Sequence, residues 1–288
     1  MIRITGVSKK IKKHDVLSNI SLNIEGIYGL VGPNGAGKTT LMKILSSLIS
    51  MNSGKVEIDG EDYTKGKYVK QNKLIGYLPQ DFMIYPNITV EEALDHIAIL
   101  QGIMDKLKRK STIHKVIKEV NLRGHENKKM IELSGGMRKR VGIAQLLMGD
   151  PKILIFDEPT AGLDIEERIR FRNLLRNLGS ERTVIISSHI VEDIEFLSTK
   201  IGVLKNGKVV FEGSPNELKA HAKGYVWECH VTQDNLGSIM SEKEVVQIME
   251  EEEDISVRFF SVEGDAKAKQ VSPRLVDGYL SVVRDVKR

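Results

Sequence analysis

A glycine-rich run with one lysine and two threonines is the part of this chain best suited to chemistry. Its three glycines allow the backbone the positive φ angles that point N–H groups inward around an anion. The run lies between an apolar stretch at 27–31 and an apolar-periodic stretch at 41–45, which predicts a strand, a loop and a helix. The positive end of such a helix also favours an anion. These residues predict a phosphate-binding loop: Gly32, Pro33, Asn34, Gly35, Ala36, Gly37, Lys38, Thr39 and Thr40.

Two side chains in this loop have separate expected roles. Lys38 would reach the β- and γ-phosphates of a nucleotide, and the Thr39 hydroxyl would ligate a Mg²⁺ ion that bridges them. The alternative is a glycine-rich turn capped by a surface lysine. The strand before the loop and the helix after it favour the phosphate loop.

Two acids follow a second apolar stretch. Residues 152–156 have the composition of a buried parallel strand, and Asp157 and Glu158 come directly after them. Asp157 would hold the metal shell, and Glu158 is placed to polarise water. Adjacent side chains on a strand point to opposite faces, so the two acids serve one site only if the strand has already ended. Pro159 indicates that it has.

The five residues Leu133, Ser134, Gly135, Gly136 and Met137 resemble the signature motif of ATP-binding cassette (ABC) proteins. Three further pieces stand in the order of that family, at Gln80, Asp164 and His189. With the phosphate loop and the acid pair they make six pieces between residues 32 and 189. The resemblance covers about residues 1 to 222, roughly three quarters of the chain.

The resemblance implies an α/β fold of the ABC type of P-loop NTPase, with a RecA-like core, an antiparallel β subdomain and a helical insertion. It implies ATP and Mg²⁺ as cofactors, with the metal held by Thr39, Gln80 and Asp157. Glu158 would be the catalytic base or water-orienting group, and Gln80 would contact the metal or the attacking water. His189 would sense the γ-phosphate, and Asp164 would bridge the two sites of a dimer.

The signature motif also has a physical interpretation of its own. Ser134 can cap the helix that follows, and the paired glycines leave N–H groups uncovered at its positive end. This end is a second anion site, which the family resemblance places far from the phosphate loop on the same domain. A second copy of the chain would then supply it, so we expect a two-fold, head-to-tail homodimer with ATP at the seam.

Two positions depart from the family pattern. The family usually stacks adenine on an aromatic residue near the end of the first strand, and here that position is Ile11. The adenine platform therefore lacks a π face. The signature ends in Met137 where Gln is commonest, a change found in export-type subunits of the family.

Composition bounds the class and the partners. The chain has 288 residues and is 41% apolar, enough for a core, and no stretch has the roughly 18 apolar residues of a spanning helix. Its N-terminus lacks an apolar signal core, which predicts a cytoplasmic location. Cys229 is the only cysteine, so an intrachain disulfide is excluded and a core position is expected. The basic residues are dispersed without aromatic interleaving, which favours a place beside an anionic membrane over nucleic acid.

A change in charge marks a domain boundary near residue 224. Residues 225–288 carry eight Lys and Arg against thirteen Asp and Glu, whereas residues 1–224 have an excess of nine basic residues. We therefore predict a nucleotide-binding domain at 1–224 and a small accessory domain at 225–288. The sequence predicts short strands at 226–231, 255–262 and 279–283 and a solvated acidic loop at 250–254. This region is similar to the β-rich tail of bacitracin-type efflux ATPases, and it could be a dimer contact, a regulatory flap or a stabilising edge.

Residues 89 to about 148 have helical patterns, beginning with a capping box at 89–92. Just before them, the apolar run Phe82-Met83-Ile84-Tyr85 follows Gln80. In the family this neighbourhood receives a helix from a membrane subunit, so we expect the permease to dock near Gln80 to Tyr85. The alternative, that these side chains fill the core of the helical insertion, stays open for some members of the run.

The pattern as a whole predicts the ATPase subunit of an ABC transporter of the exporter type, on the inner face of the cell membrane. The alternative is a soluble ABC ATPase that acts as a switch on a ribosome or DNA. Members of that class carry two cassettes or a long coiled coil, and neither is visible here. A catalytically inactive subunit is a third possibility, against which Glu158 and His189 argue.

Overall fold

The computed structural model describes residues 1–64, 74–82, 85–250, 254–263 and 267–286. The chain divides into two compact units, Met1–Val209 and Val210–Arg288. None of the helices in the described ranges combines the length and apolar character that crossing a membrane requires.

The first unit begins with an antiparallel sheet. Its strands are β1 (Ile2–Ile11), β2 (His14–Ile24), β4 (Ser53–Ile58) and β5 (Glu61–Asp62), in the order β2-β1-β4-β5. Ile2 and Ile4 of β1 are buried in alternation with exposed residues, because successive side chains of a strand point to opposite faces, and a register shift after Ile4 places the buried Val7 out of this alternation. This sheet is the antiparallel subdomain that the sequence predicts.

A parallel sheet forms the centre of the first unit. Its strands are β3 (Ile27–Val31), β6 (Ile75–Leu78), β7 (Ile153–Phe156), β8 (Thr183–Ser188) and β9 (Lys200–Lys205). They lie in the order β9-β3-β8-β7-β6 and are buried along most of their length. Because β8 lies between β3 and β7, the carboxyl ends of these three strands meet at one edge. Three helices of this unit follow the strands: α1 (Lys38–Leu45), α5 (Ile165–Gly179) and α6 (Val191–Glu195).

Residues 89–148 are largely helical. They contain α2 (Val90–Leu100), α3 (Lys106–Glu119), a short 3₁₀ turn (Met130–Glu132) and α4 (Gly135–Leu147). Thr89 caps α2 in a capping box with Glu92, as the sequence predicts. The fold class of the first unit is therefore the α/β arrangement with a helical insertion that we expected.

The second unit is a small α/β domain. Strand β10 (Lys208–Gly213) crosses the boundary between the units, and α7 (Pro215–Ala220) follows it with the predicted capping box at Ser214. Four strands, β11 (Val226–Val231), β12 (Glu244–Glu250), β13 (Ile255–Phe260) and β14 (Lys269–Gln270), lie in the order β12-β13-β11-β14. Helix α8 (Gln233–Glu242) connects β11 to β12, and β13 pairs antiparallel with both, which is a split βαβ unit.

Buried side chains hold the second unit together. Cys229, Val257 and Phe259 form its apolar core, which confirms the core position expected for the cysteine. Arg258 and Asp277 are both buried and form an ion pair of 2.7 Å.

Two sequence predictions in this unit are wrong. Residues 279–283, expected as a strand, belong to helix α9 (Leu275–Arg284). The N-cap contact of Arg274 N–H with the Asp277 carboxylate (2.7 Å) and the close approach of Gly278 to Leu218 of α7 favour the helix. Tertiary packing has overridden strand propensity. Strand β12 was missed, and Glu250 of the expected acidic loop is its last residue, whereas 251–253 lie outside the described residues.

Candidate active site

The phosphate loop connects β3 to α1 and turns through glycines at positive φ. Gly35 has φ 79° and Gly37 has φ 103°, and Gly37 forms the N-cap of α1. A Cβ at Gly37 would lie 2.6 Å from the Leu17 side chain and 2.9 Å from the Val16 carbonyl, so both the angle and the space require glycine. The loop therefore presents backbone rather than side chains at the start of the helix.

Lys38 lies buried inside this loop. Its Nζ donates hydrogen bonds to the carbonyl oxygens of Gly32 (2.7 Å) and Pro33 (3.3 Å). Burial lowers the pKa of Lys38, and the negative charges of Glu158 and Asp157 offset part of that effect. A cation in these surroundings gains from an anionic ligand, because such a ligand replaces the water that the ammonium has lost.

The acid pair lies beyond the end of its strand. β7 ends at Phe156, and Glu158 has a left-handed backbone with φ 48°, so the two acids are released from strand alternation as Pro159 suggested. The Ser187 hydroxyl donates to Asp157 Oδ1 (2.6 Å) and accepts from the Glu158 N–H (2.9 Å). Ser187 is a residue that our sequence reasoning missed. It fixes both acids from the end of β8, the strand between the loop and the acid pair.

Glu158 brings three predicted residues together. Its Oε2 lies 2.6 Å from His189 Nδ1, and its Oε1 lies 3.7 Å from Lys38 Nζ. The His189 N–H also donates to Oε2, at 3.3 Å. The carboxylate is 7% exposed, so these contacts rather than solvent fix its orientation. A carboxylate held in this way can accept a proton from a positioned water molecule.

Tyr77 supports Asp157 from the neighbouring strand β6. Its hydroxyl donates to Asp157 Oδ2 at 3.4 Å. Burial, followed by the charge of Asp157, raises the pKa of Tyr77, so the phenol stays protonated and keeps its donor. Asp157 therefore accepts hydrogen bonds from the ends of both neighbouring strands.

A cavity of about 290 Å³ gathers most of the predicted site. Gln80, Glu158 and His189 line it together with the loop residues Asn34, Gly35, Ala36, Gly37, Lys38, Thr39 and Thr40. Gly32, Pro33 and Asp157 do not line it, although each contacts a lining residue or adjoins one in the chain. Ile11 is not part of the wall either: it is the last residue of β1 and 44% exposed, whereas Val16 lines the cavity.

A second cavity of about 490 Å³ shares Gln80 with the first. Phe82, Pro86, Met130, Ile131, Gly135, Arg138 and Lys139 complete its lining. The Phe82 ring approaches Gly142 of α4, whereas Tyr85 is 78% exposed. Phe82 therefore packs against the helical insertion, whereas Tyr85 is accessible and its docking role stays a prediction. Met83 and Ile84 lie outside the described residues.

The signature motif leads into α4, and none of its residues lines the phosphate loop cavity. Ser134 is its N-cap and accepts a hydrogen bond from the Met137 N–H at 3.2 Å. A Cβ at Gly135 would meet no neighbour, whereas a Cβ at the buried Gly136 would lie 2.4 Å from the Glu167 carboxylate, so of the paired glycines only Gly135 leaves the helix end uncovered. Asp164 is the N-cap of α5, where its carboxylate accepts from the Glu167 N–H at 2.8 Å. Neither Ser134 nor Asp164 lines the first cavity.

The donor set fits a nucleoside triphosphate with a divalent cation. The loop supplies the N-terminus of α1, which no side chain caps, and a buried ammonium for phosphates. A hydroxyl at Thr39, an amide at Gln80 and a carboxylate at Asp157 are of the oxygen-ligand types that Mg²⁺ prefers.

Comparisons with known proteins agree with this arrangement. A family model described as ABC transporter matches residues 17–161. The bacitracin transport ATP-binding protein BcrA of Bacillus licheniformis is 35% identical over 248 residues, which cover 84% of this chain and 79% of that protein. The probable sulfate/thiosulfate import ATP-binding protein CysA of Chlorella vulgaris is 35% identical over 225 residues, 76% of this chain and 94% of that protein.

One solved relative shows such a cassette in a dimer. It is the dimeric structure of a post-hydrolysis state of the ATP-binding cassette MJ0796 bound to ADP and Pi. This relative is 29% identical and superposes with a TM-score of 0.66, over 74% of this chain and 98% of that one.

Proposed function

Because the chain belongs to the ABC transporter family, we propose that it is the ATPase subunit of an exporter and powers a separate membrane subunit through ATP-driven, head-to-tail dimerisation. The chain is an ATPase that uses ATP and Mg²⁺, as its family does. The observation that carries the proposal is the position of Glu158, which is buried between Lys38 and His189 at the wall of the phosphate loop cavity.

Each catalytic side chain has a role that its contacts support. Glu158 accepts the proton of the attacking water, and His189 holds the carboxylate through Nδ1 and faces the same cavity. Lys38 binds the terminal phosphates. Mg²⁺, when bound, neutralises phosphate charge, and we assign its protein ligands to Thr39, Gln80 and Asp157.

The signature motif supports a dimer. Its helix end is open at Gly135 and offers a second anion site, and none of its residues lines the first cavity of its own subunit. Two copies related by a two-fold axis would each close the other's site, with Asp164 between them. The MJ0796 cassette is a dimer in its ADP and Pi complex, which supports the same assembly for this chain.

The second cavity supports the docking of a membrane subunit. Its wall is mainly apolar, with Phe82, Met130 and Ile131, and these are the side chains that suit the apolar face of a partner helix. Because Gln80 lines both cavities, a helix bound in the second cavity would contact a residue whose position depends on whether nucleotide occupies the first cavity. A subunit bound to a permease in this way would be peripheral on the inner face of the membrane.

The direction of transport rests on two observations. The BcrA match covers 84% of the chain, whereas residues 1–224 are only about 78% of its 288 residues, so the match extends into the accessory domain that we propose at 225–288. The match to CysA, a protein whose name describes import, covers 76% of this chain. The export-type Met137 in the signature agrees with the BcrA likeness.

Dimerisation of a Glu158→Gln variant tests the proposal. Removing the base should lower steady-state hydrolysis by about 10²- to 10⁴-fold while ATP still binds, so the ATP-bound dimer should accumulate. Light scattering after gel filtration with ATP and Mg²⁺ would measure it, with the ADP complex as the control. Near-normal turnover, or a monomer at saturating ATP, would contradict the proposal.

A further inference from the structure

Two adjacent cations of the signature helix hold the segment that follows the acid pair. Lys139 Nζ donates to the carbonyl oxygens of Pro159 (2.7 Å) and Ala161 (2.5 Å). Arg140 Nη2 pairs with Glu167 Oε2 at 2.8 Å, in the first turn of α5. The signature helix is therefore attached to this segment at two points, one on each side of Asp164.

Lys139 has unusual surroundings for a lysine on a helix. Burial lowers its pKa, and the negative charges of Asp81 and Glu158 offset part of that effect. Asp81 adjoins Gln80, so the ammonium interacts electrostatically with the segment that carries Gln80 and with the segment that carries Glu158. Ordering a long side chain costs rotamer entropy, and here both named acceptors are carbonyls of one short loop.

We propose that Lys139 is a positioning residue that couples the signature helix to Glu158 of the same subunit. Lys139 lies five residues after Ser134, on one rigid helix, and Pro159 directly follows Glu158. A displacement of the signature end of α4 therefore reaches the catalytic carboxylate through a single side chain. Nothing in the phosphate loop provides this connection, because its lysine faces the acid from inside the cavity.

The consequence is communication between the two ATP sites of a dimer, and in this respect the inference rests on the function proposed above. In that dimer the signature of one subunit contacts the nucleotide of its partner. Binding there would move α4, and Lys139 would transmit the movement to the subunit's own Glu158. Hydrolysis should therefore be cooperative in ATP, with a Hill coefficient between 1 and 2.

The test is the cooperativity of hydrolysis in Lys139→Met, which keeps the length of the chain and removes the donor. We expect the Hill coefficient to fall below the wild-type value, because only the cooperativity of ATP-driven dimerisation remains, and kcat to fall about tenfold or more, since small displacements of a catalytic group have effects of that order. The affinity of the monomer for ATP should not change. Lys115→Met, which removes an exposed cation from α3, is the matched control and should behave as wild type.

A purely structural role predicts something different. It would lower the melting temperature and kcat while the cooperativity of the folded fraction remained. If Lys139→Met does not fold, Lys139→Arg and Lys139→Gln replace it: Arg reaches both carbonyls and should keep cooperativity, whereas Gln is too short and should lose it. The inference would be overturned if Lys139→Gln kept cooperativity and Lys139→Arg lost it, or if Lys139→Met had wild-type cooperativity.

Dimer formation separates this inference from the proposed function. If Glu158→Gln stays monomeric with ATP, both the dimer and the inference fail. If it dimerises and the wild-type enzyme has a Hill coefficient of 1, or if Lys139→Met keeps the wild-type Hill coefficient, the dimer stands and only the role of Lys139 is refuted.

Discussion

Replacement of Ser187 by alanine should impair catalysis more than binding. The Ser187 hydroxyl is fully buried and makes two hydrogen bonds, one to Asp157 Oδ1 at 2.6 Å and one from the Glu158 N–H at 2.9 Å. Its removal leaves a buried N–H without its acceptor and a buried carboxylate with one donor fewer. An unsatisfied buried group costs about 1 to 3 kcal/mol, and a bond to a charged group is at the upper end of that range.

The loss of these hydrogen bonds should affect both the stability of the protein and its catalytic rate. A loss of about 2 kcal/mol would lower the melting temperature by a few degrees in a domain of this size. The same loss in the positioning of Glu158 corresponds to roughly thirtyfold in kcat, since 1.4 kcal/mol is a factor of ten. The ATP dissociation constant should change little, because Ser187 does not line the phosphate loop cavity.

Ser188→Ala provides the matched control. Ser188 is the next residue of β8, is equally buried and accepts one hydrogen bond, from the Ile190 N–H at 2.9 Å, instead of bonding the acid pair. Steady-state kinetics, nucleotide titration and thermal melting of both variants measure the difference. If Ser187→Ala keeps wild-type kcat, or if Ser188→Ala lowers kcat equally, the bridge does not position the acids and our reasoning is refuted.

Three further predictions concern other parts of the chain. Because Ile11 has no π face, stacking of the base worth about 0.5 to 1.5 kcal/mol is missing, and GTP should be hydrolysed at a rate within about tenfold of the rate for ATP. Ile11→Tyr should tighten ATP binding. A hundredfold preference for ATP in competition assays would contradict this. Tyr85→Asp should weaken the affinity for the membrane subunit by about thirtyfold in detergent pull-downs, with basal hydrolysis and the melting temperature unchanged. Phe82→Asp should also lower the melting temperature, because Phe82 packs on α4. Intact complexes with both variants would place the docking surface elsewhere. Asp277→Asn removes the nearer of the two carboxylates that pair with the buried Arg258 and leaves Glu228, at 3.5 Å, as its remaining charge partner. The second unit should lose about 1 to 3 kcal/mol of stability, which urea denaturation would detect; an unchanged midpoint would contradict it.

The fold of the first unit and the placement of the phosphate loop and the acid pair could be predicted because each depends on local sequence. The phosphate loop, the acid pair after β7 and the capping boxes are short segments whose residue types specify their backbone. The accessory domain was harder. Its valines at 282 and 283 favour a strand by propensity, but the capping contact at Asp277 and the crossing of α7 and α9 at Gly278 decide for a helix. Such contacts join distant parts of the chain, and a single sequence does not show them.

Ser187 was missed for a related reason. The residues of β8 are an apolar run that ends in two serines, which by itself indicates only a strand end. Their role depends on strand order, because β8 lies between β3 and β7 although it follows both in the chain. A hydroxyl at the end of the middle strand necessarily lies between the phosphate loop and the acid pair. Once that order is known, a polar residue at this position is a candidate for a second contact to the acids.

The contacts of Glu158 also predict how ATP binding changes the surroundings of this carboxylate before hydrolysis. Lys38 faces Glu158 Oε1 at 3.7 Å, in surroundings where burial lowers the pKa of the lysine. A triphosphate offers Lys38 more negative charge than one carboxylate does, so we expect binding to draw the ammonium to the phosphates and leave Glu158 with His189. The carboxylate also repels the incoming phosphates. Glu158→Gln should therefore bind ATP at least as tightly as the wild-type protein, in addition to accumulating the dimer. Calorimetric titration of both proteins would measure this, and weaker binding by the variant would mean that Glu158 contributes more to holding Lys38 in place than to repelling phosphate.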